Sequence, residues 1–376
     1  VGNAVQVRDM ATGVVRSLDA EQVLYRHLQW VDSSRAVAVM KGKIATSGTP
    51  RDTLFTLAVY RGVSANGATG TMTFSPEGRS DFPQGMKLAS DRAPRYSADL
   101  SQVFFGMREG AKPPSPAGRG NSAVQAGAPG MGGTINQTAG GGRGGAADSL
   151  PSLILWHGRD DRLQSQQMVQ EAADRAFNFL VSYRFRDDKF VRLTDSTLRT
   201  VTVTGSDKVA YGTDNRAYQQ QASFTGRNYS DFYLVDLASG ARKKLWTKRL
   251  NTSFSVAPDG SKALIWSKDG HYWVLDLRTL DSVNITRSVP TSFVNTEDDH
   301  YNIEPRAIPA RGWSRDGAYV LLYDNWDLWK VPTNPRSAER AVNLTGNGKR
   351  DQIRYRTLYN WTESGETEEA EEPVPG

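Results

Sequence analysis

The sequence predicts an all-β chain, a partial β-propeller of four-stranded antiparallel blades in an open or incomplete ring. Three observations lead there. Short runs rich in β-formers recur, bounded by Gly, Pro, Ser and Asp. A turn motif of aromatic-Ser followed by Asp/Glu-Gly and an apolar run repeats along the chain. Long, strongly periodic helical segments are lacking, which argues against an α/β architecture.

The first strand-like zone spans 1–110, with runs at Ala36–Val39, Thr53–Tyr60 and Gln102–Met107. Residues 111–149 then break the pattern. This stretch holds 11 of the 35 Gly and 4 of the 17 Pro. Such a composition buries too little apolar surface to offset its ordering entropy. It is expected to be a disordered insertion within a blade, which a sheet tolerates because closure entropy grows slowly with loop length. Its Gly140-Gly-Gly-Arg-Gly-Gly145 is similar to an RGG element of RNA-binding proteins, but one Arg in one copy reads as flexible linker. From 150 to 362 short strands return. One exception lies near 166–180, where Met168, Val169, Ala172, Ala173, Ala176 and Phe177 recur at helical spacing.

The aromatic-Ser motif occurs at Phe74–Gly78, Phe254–Gly260 and Trp313–Gly317, with degenerate copies at Trp30–Ser34 and Tyr96–Ser101. The aromatic is expected to end one strand and pack inward. Pro, Asp and Gly make the turn, and Gly supplies the positive φ. A second form, apolar strand, Asp, turn, polar strand, begins at Phe232, Tyr272 and Leu328. Closing strands follow at Lys244–Trp246, Val283–Thr286 and Ala341–Thr345. At ~45–50 residues per blade, the chain without the insertion would make about seven units, of which roughly five are visible. The propeller is expected over 1–362, and 363–376, with six Glu and no Lys or Arg, is expected to be an acidic tail or linker.

Composition narrows the function. The 376 residues include no Cys, which excludes disulfides, thiolate metal sites and a cysteine nucleophile. The formal net charge is +5, but no run of five or more Lys/Arg occurs, so the charge reads as solvated surface and nucleic acid is not an expected partner. No apolar run approaches the ~20 residues of a membrane span. The chain begins at Val1 and is expected to be a piece of a longer protein.

Candidate constellations are few. Of the four histidines, His157 lies near Asp160 and Asp161, and His300 beside Asp298 and Asp299; His27 and His271 stand apart. A triad needs hydroxyl, imidazole and carboxylate together with an oxyanion hole. The competing reading of His157 is a turn in which Asp caps backbone amides. For His300 it is a polar loop, since adjacent residues on a strand face opposite sides and rarely share a metal. Trp313, Trp326, Trp329 and Tyr323 would stack a sugar or peptide if exposed, or pack a blade core if buried. Several Asn-x-Ser/Thr sequons occur; Asn284-Ile-Thr286 and Asn343-Leu-Thr345, for example, sit in closing strands and read as incidental. No catalytic residue, cofactor or metal site is assigned.

Two stretches carry a family resemblance: Leu155–Gln167, and Asp298–Pro305 continuing through Gly312–Gly317 and Leu322–Val331. They resemble the propeller of the prolyl oligopeptidase family of serine peptidases, in particular large bacterial, dipeptidyl peptidase IV-like members. The resemblance implies a non-catalytic ring that gates peptide access to an α/β-hydrolase domain outside this chain, with that domain and a peptide substrate as partners and a periplasmic or secreted address. The chain departs from the family in having no Gly-x-Ser-x-Gly; Gly312-Trp-Ser-Arg-Asp316 ends in Asp and opens a blade. No paired-glutamate motif for a peptide amino terminus is found, and Glu368-Glu369 belongs to the acidic segment. The alternative is a stand-alone TolB-like propeller binding a protein or saccharide.

Overall fold

The structure is a computed structural model. It describes residues 3–31, 35–45, 52–64, 66–97, 99–110, 157, 159–204, 207, 209–250, 254–298, 305–334 and 337–355, and the backbone of 359–361 and 367–369. The expected insertion at 111–149, with Gly140–Gly145, lies outside the described residues.

The chain folds as a succession of antiparallel sheets. A hairpin of β1 (Asn3–Arg8) and β2 (Val15–Glu21) comes first. The first blade is β3 (Leu24–Val31), β4 (Ala36–Ile44), β5 (Thr53–Arg61) and β6 (Gly70–Phe74), paired in that order. In the second, β7 (Met86–Leu88) and β8 (Arg95–Tyr96) are two pieces of one innermost strand on β9 (Gln102–Glu109). Helix α1 (Gln164–Arg175) precedes β10 (Phe179–Arg184) and β11 (Lys189–Arg192). The third blade is β12 (Thr200–Val203), β13 (Ala210–Asp214), β14 (Tyr229–Val235) and β15 (Arg242–Leu250), with a 3-10 turn at Arg216–Tyr218 and α2 (Gln219–Thr225) between β13 and β14. The fourth is β16 (Phe254–Val256), β17 (Lys262–Ser267), β18 (His271–Asp276) and β19 (Ser282–Asn284). The fifth is β20 (Gly312–Trp313), β21 (Tyr319–Tyr323), β22 (Leu328–Pro332) and β23 (Val342–Asn343). A short helix, α3 (Gly348–Asp351), and a hairpin of β24 (Tyr359–Trp361) and β25 (Thr367–Glu369) follow. This is an incomplete β-propeller, as the repeats predict, and β25 falls inside the stretch expected as an acidic tail.

Each of the first four blades is covered on both faces, and strand alternation decides which neighbour each side chain meets. On β4, Ala36, Ala38 and Met40 join the core shared with the second blade, while Val37 and Val39 pack with Val5 of the first hairpin. On β9, Val103, Phe105 and Met107 face the first blade and Phe104 the third. On β17, Leu264 and Trp266 face the fifth blade and Ala263 and Ile265 the third. Strands buried on both faces read as continuous apolar runs rather than alternating ones, which is why the second strand stood out in the first, second, fourth and fifth blades, whereas β13 of the third, with Gly212 and Asp214, did not.

The turn motif is correct at three copies and misplaced at one; residues 32–34 of the remaining copy, Trp30–Ser34, lie outside the described residues. Ser97, Ala257 and Ser314 each open a turn joining strands one and two. In the first and last, the Ser hydroxyl donates to Asp99 or Asp316 at 2.8 and 2.6 Å and accepts the Gln102 or Tyr319 amide at 3.0 and 2.9 Å. Gly260 and Gly317 adopt φ of 74° and 67°, and the degenerate copy places Leu100 at φ 57° in the same role. Phe74–Gly78, by contrast, is no turn within a blade. Phe74 ends the outermost strand β6, and the chain leaves there for the next blade. Ser-Pro-Glu-Gly makes a sharp turn wherever it stands and does not encode which strands it joins. Phe74 still packs inward, but Trp30 is 49 % exposed, against the expectation of inward aromatics.

Candidate functional site

Connectivity gives the molecule two unlike ends. Within a blade the turns between strands one and two and between three and four leave from one end. The connections between strands two and three, and from blade to blade, leave from the other. The first end carries tight turns, such as 97–101, 236–241, 257–261, 277–281 and 314–318. The second carries the long connections: 110–178 with α1, 215–228 with α2, and 285–311. Binding residues concentrate on long loops held by a rigid scaffold, so the long-loop end is the candidate site.

At this end the β9–β10 junction is built around a glycine. A Cβ on Gly106 would lie 2.5 Å from Asn178 Oδ1, so only glycine leaves room for that amide. Asn178 is buried, donates Nδ2 to the Ala176 carbonyl at 2.9 Å, and accepts Arg92 Nε at 2.7 Å. Arg92 stands where the innermost strand breaks between β7 and β8, and desolvation lowers its guanidinium from the ordinary value. Nearby, Arg199 lies over the Phe177 ring at 4.0 Å, Arg108 pairs with Asp91 at 2.5 Å, and His27 Nε2 meets the Ser90 carbonyl at 2.7 Å.

The two helices meet through Ser223 Oγ, which donates to Gln166 Oε1 at 3.2 Å. The helical spacing read near 166–180 yields α1, but it buries no residue: Met168 and Val169 are 59 % and 84 % exposed, and Phe224 of α2 is 72 % exposed. Below α2, Asp231 gathers Tyr218 Oη at 2.6 Å, Lys244 Nζ at 2.7 Å and the Lys248 amide at 2.9 Å. Burial works to raise this carboxyl, and those bonds outweigh it and hold it below the usual range. The Lys248 backbone has φ 48°, so Asp231 fixes a bulge in β15.

The candidate residues separate in space. The His157 amide donates to Asp160 Oδ2 at 3.0 Å and its Nδ1 accepts the Arg159 amide at 3.0 Å, a turn closed on itself. Asp161 is exposed. His271 Nδ1 lies 3.2 Å from Thr286 Oγ1, but that hydroxyl also accepts the Tyr272 amide and closes the blade. His300 and Asp299 lie outside the described residues, and Asp298 pairs with Arg306 at 3.0 Å. In the fifth blade, Trp329 and Tyr323 are buried; Trp329 Nε1 donates to Asp324 at 2.8 Å and Trp313 Nε1 to Ser255 of the fourth blade at 2.9 Å. Trp326 lies under Arg354 at 4.8 Å. The sequon asparagines of the two closing strands use Oδ1 to accept turn amides, Asn284 from Thr286 and Arg287, and Asn343 from Thr345 and Gly346. Arg92 was missed by sequence reasoning, since the strand break that presents it has no motif, and His27, which stood apart in the sequence, meets that break through the Ser90 carbonyl.

Among the described residues no group of three His, Cys, Asp or Glu is placed to hold a metal ion, and no helix is long and apolar enough to cross a membrane.

No family model matches the chain. No curated protein matches it either. Among solved structures, it is similar to Pyrococcus horikoshii acylaminoacyl peptidase at 11 % identity and a TM-score of 0.30, over 96 % of this chain and 50 % of that one. A Bacteroides thetaiotaomicron structural genomics protein of unknown function matches at 10 % identity and a TM-score of 0.25, over 45 % of this chain and 38 % of that one. The chain thus spans half the length of the peptidase or less of each, and at these scores neither likeness bears on function.

Proposed function

We propose that this chain is the non-catalytic propeller region of a prolyl oligopeptidase-like serine peptidase, gating peptide access to an α/β-hydrolase domain outside it. The observation that supports the reading is the asymmetry of the two ends. Insertions gather at one end of a stack of blades, as in a lid that faces another domain, and the family-like stretches at 155–167, 298–305, 312–317 and 322–331 belong to the same blades or the connections at that end. In the complete protein the reaction would be acyl transfer from peptide to serine, then hydrolysis.

The deciding experiment has two parts. Incubating this chain with a serine-reactive fluorophosphonate is expected to leave it unlabelled, and stoichiometric labelling overturns the non-catalytic assignment. Reading the parent gene beyond Gly376 is expected to show a Gly-x-Ser-x-Gly segment between a strand and a helix. A stop codon directly after Gly376 favours the second reading, a TolB-like propeller that binds a protein or saccharide. The exposed Met168, Val169 and Phe224 on α1 and α2 are the features such a partner would meet.

A further inference from the structure

The innermost strands of the first two blades are both interrupted, and the interruptions touch. On β3, Arg26 pairs with Met40 and Gln29 with Ala38, so His27 and Leu28 stand opposite Val39 alone. In the second blade Leu88 pairs with Met107 and Arg95 with Phe104, so six residues, 89–94, stand opposite two, 105 and 106. The first interruption is a bulge and the second is a loop inserted into the strand. Bulges of this kind re-aim side chains beside functional sites, and strand one of a blade is the one nearest the axis of a propeller. His27 joins the two through its Nε2 and the Ser90 carbonyl at 2.7 Å. It does so at φ 52°, a left-handed conformation that a histidine keeps only where its surroundings hold it.

The inserted loop presents one guanidinium. Its two feet, Ala89 and Pro94, are buried, and the Ala89 amide donates to the Gly106 carbonyl at 2.8 Å. Its tip, with Asp91 and Arg92, is exposed. Asn178 is only 7 % exposed. Its Nδ2 is committed to the Ala176 carbonyl, which turns Oδ1 toward Arg92 Nε. An ordinary surface arginine swings freely, whereas this one is clamped at Nε by a buried amide that only a glycine at 106 accommodates. The cations around it already face carboxylates: Arg108 meets Asp91 at 2.5 Å, Arg95 meets Asp207 at 2.7 Å, and Lys87 pairs with Asp52. Among the described residues no carboxylate meets Arg92. Its neighbours withdraw part of its water, and the opposite charge is left for a ligand to supply.

The chemistry of that ligand follows from the clamp. With Nε taken, the guanidinium offers its two terminal nitrogens, a planar pair of donors that matches the two oxygens of a carboxylate. A phosphate site would add a nest of backbone amides, and the amide at the foot of this loop is already committed to Gly106. Arg199, a nearby guanidinium, lies on the Phe177 ring at 4.0 Å rather than in a directed hydrogen bond. We infer that Arg92, aimed by Asn178 and the 89–94 loop, is a subsite for one carboxylate of a peptide, at its carboxyl terminus or on an acidic side chain. The inference deepens the peptidase reading by naming a substrate class, and rests on it for the peptide.

The test measures binding to the full chain by fluorescence anisotropy, with three peptides labelled at the amino end. These are tetra-alanine with a free carboxyl terminus, tetra-alanine amide, and Ala-Ala-Asp-Ala amide. At least one carboxylate-bearing peptide is expected to bind about tenfold or more tighter than the neutral amide, and which one does so separates a terminal from a side-chain carboxylate. Arg92→Ala is expected to abolish the preference. Arg92→Lys, which keeps the charge but not the planar pair, is expected to retain a fraction of it. Arg315→Ala removes the same charge from an exposed tight turn at the other end and is expected to leave the preference intact. The preferred peptide is also expected to slow phenylglyoxal modification of Arg92 in the unaltered chain, a readout that needs no substitution. Equal binding of the three peptides, or none, overturns the inference. So does a preference that survives Arg92→Ala, or one that Arg315→Ala lowers as much. Such a failure leaves the fluorophosphonate result untouched, and a stop codon after Gly376 removes the peptidase role while leaving the carboxylate preference measurable.

Discussion

Thr286 Oγ1 accepts the Tyr272 amide at 3.0 Å, Thr345 Oγ1 the Leu328 amide at 3.1 Å, and Thr194 Oγ1 the Leu180 amide at 2.6 Å. In three blades a threonine two residues beyond the closing strand thus accepts an amide at the start of strand three. Thr286 is 1 % exposed, so no water replaces the hydroxyl when it is removed. Thr286→Val is predicted to destabilise the fold by about 1–3 kcal/mol, the desolvation penalty of an orphaned amide. A urea titration checks this as a lower midpoint at unchanged slope. A backbone effect governs Gly317, where an added Cβ would meet Ala257 Cβ at an ordinary 3.4 Å but φ is 67°. Gly317→Ala is predicted to lose roughly 1–2 kcal/mol to the left-handed conformation alone. At Gly106 the obstacle is steric, and Gly106→Ala is predicted to push Asn178 away and free Arg92, seen as faster modification of Arg92 by phenylglyoxal. The Asn-x-Thr strings were visible in the sequence, but the amides their side chains accept depend on strand pairing across the blade, which the local sequence does not state.

At the level of turns and strands, the tight-turn end is a row of carboxylates accepting amides. The Thr12 amide holds Asp9 below the usual carboxylate range, the Ser101 amide does so for Asp99 and the Thr279 amide for Asp276. The Ser239 and Ser314 hydroxyls lead the same effect at Asp236 and Asp316. A carboxyl whose folded value is depressed stabilises the fold above its unfolded value of about 3.9, and that contribution is lost as pH falls through the folded value. The urea midpoint is therefore predicted to hold from neutral pH to about pH 5 and to fall below about pH 4. The triple substitution of Asp9, Asp236 and Asp276 by Asn is predicted to flatten that fall. These turns were legible because Asp, Ser/Thr and Gly each have one local job there. Helix α1 was legible as a helix and not as a surface element. Met168 and Val169 repeat at core-like spacing yet face solvent, because spacing reports periodicity and not what lies opposite.

For the whole molecule, adjacent blades share their cores. Phe74, Phe105, Tyr183 and Phe190 show this: they come from two blades and form one aromatic cluster, with Phe74 4.5 Å from Tyr183 and 5.1 Å from Phe105. The repeats made this architecture readable, since an apolar run flanked by two turn types fits only a strand buried on both faces. The polarity of the ends was not readable, because it depends on which turns share an end. The most direct test of the stacked-blade account is hydrogen exchange resolved by peptide over the whole chain. The account predicts five separated maxima of protection on the middle strands, at 36–44 with 53–61, 102–109 with 179–184, 210–214 with 229–235, 262–267 with 271–276, and 319–323 with 328–332. Slowest exchange in α1 at 164–175, or one continuous protected block that ignores these intervals, would contradict it.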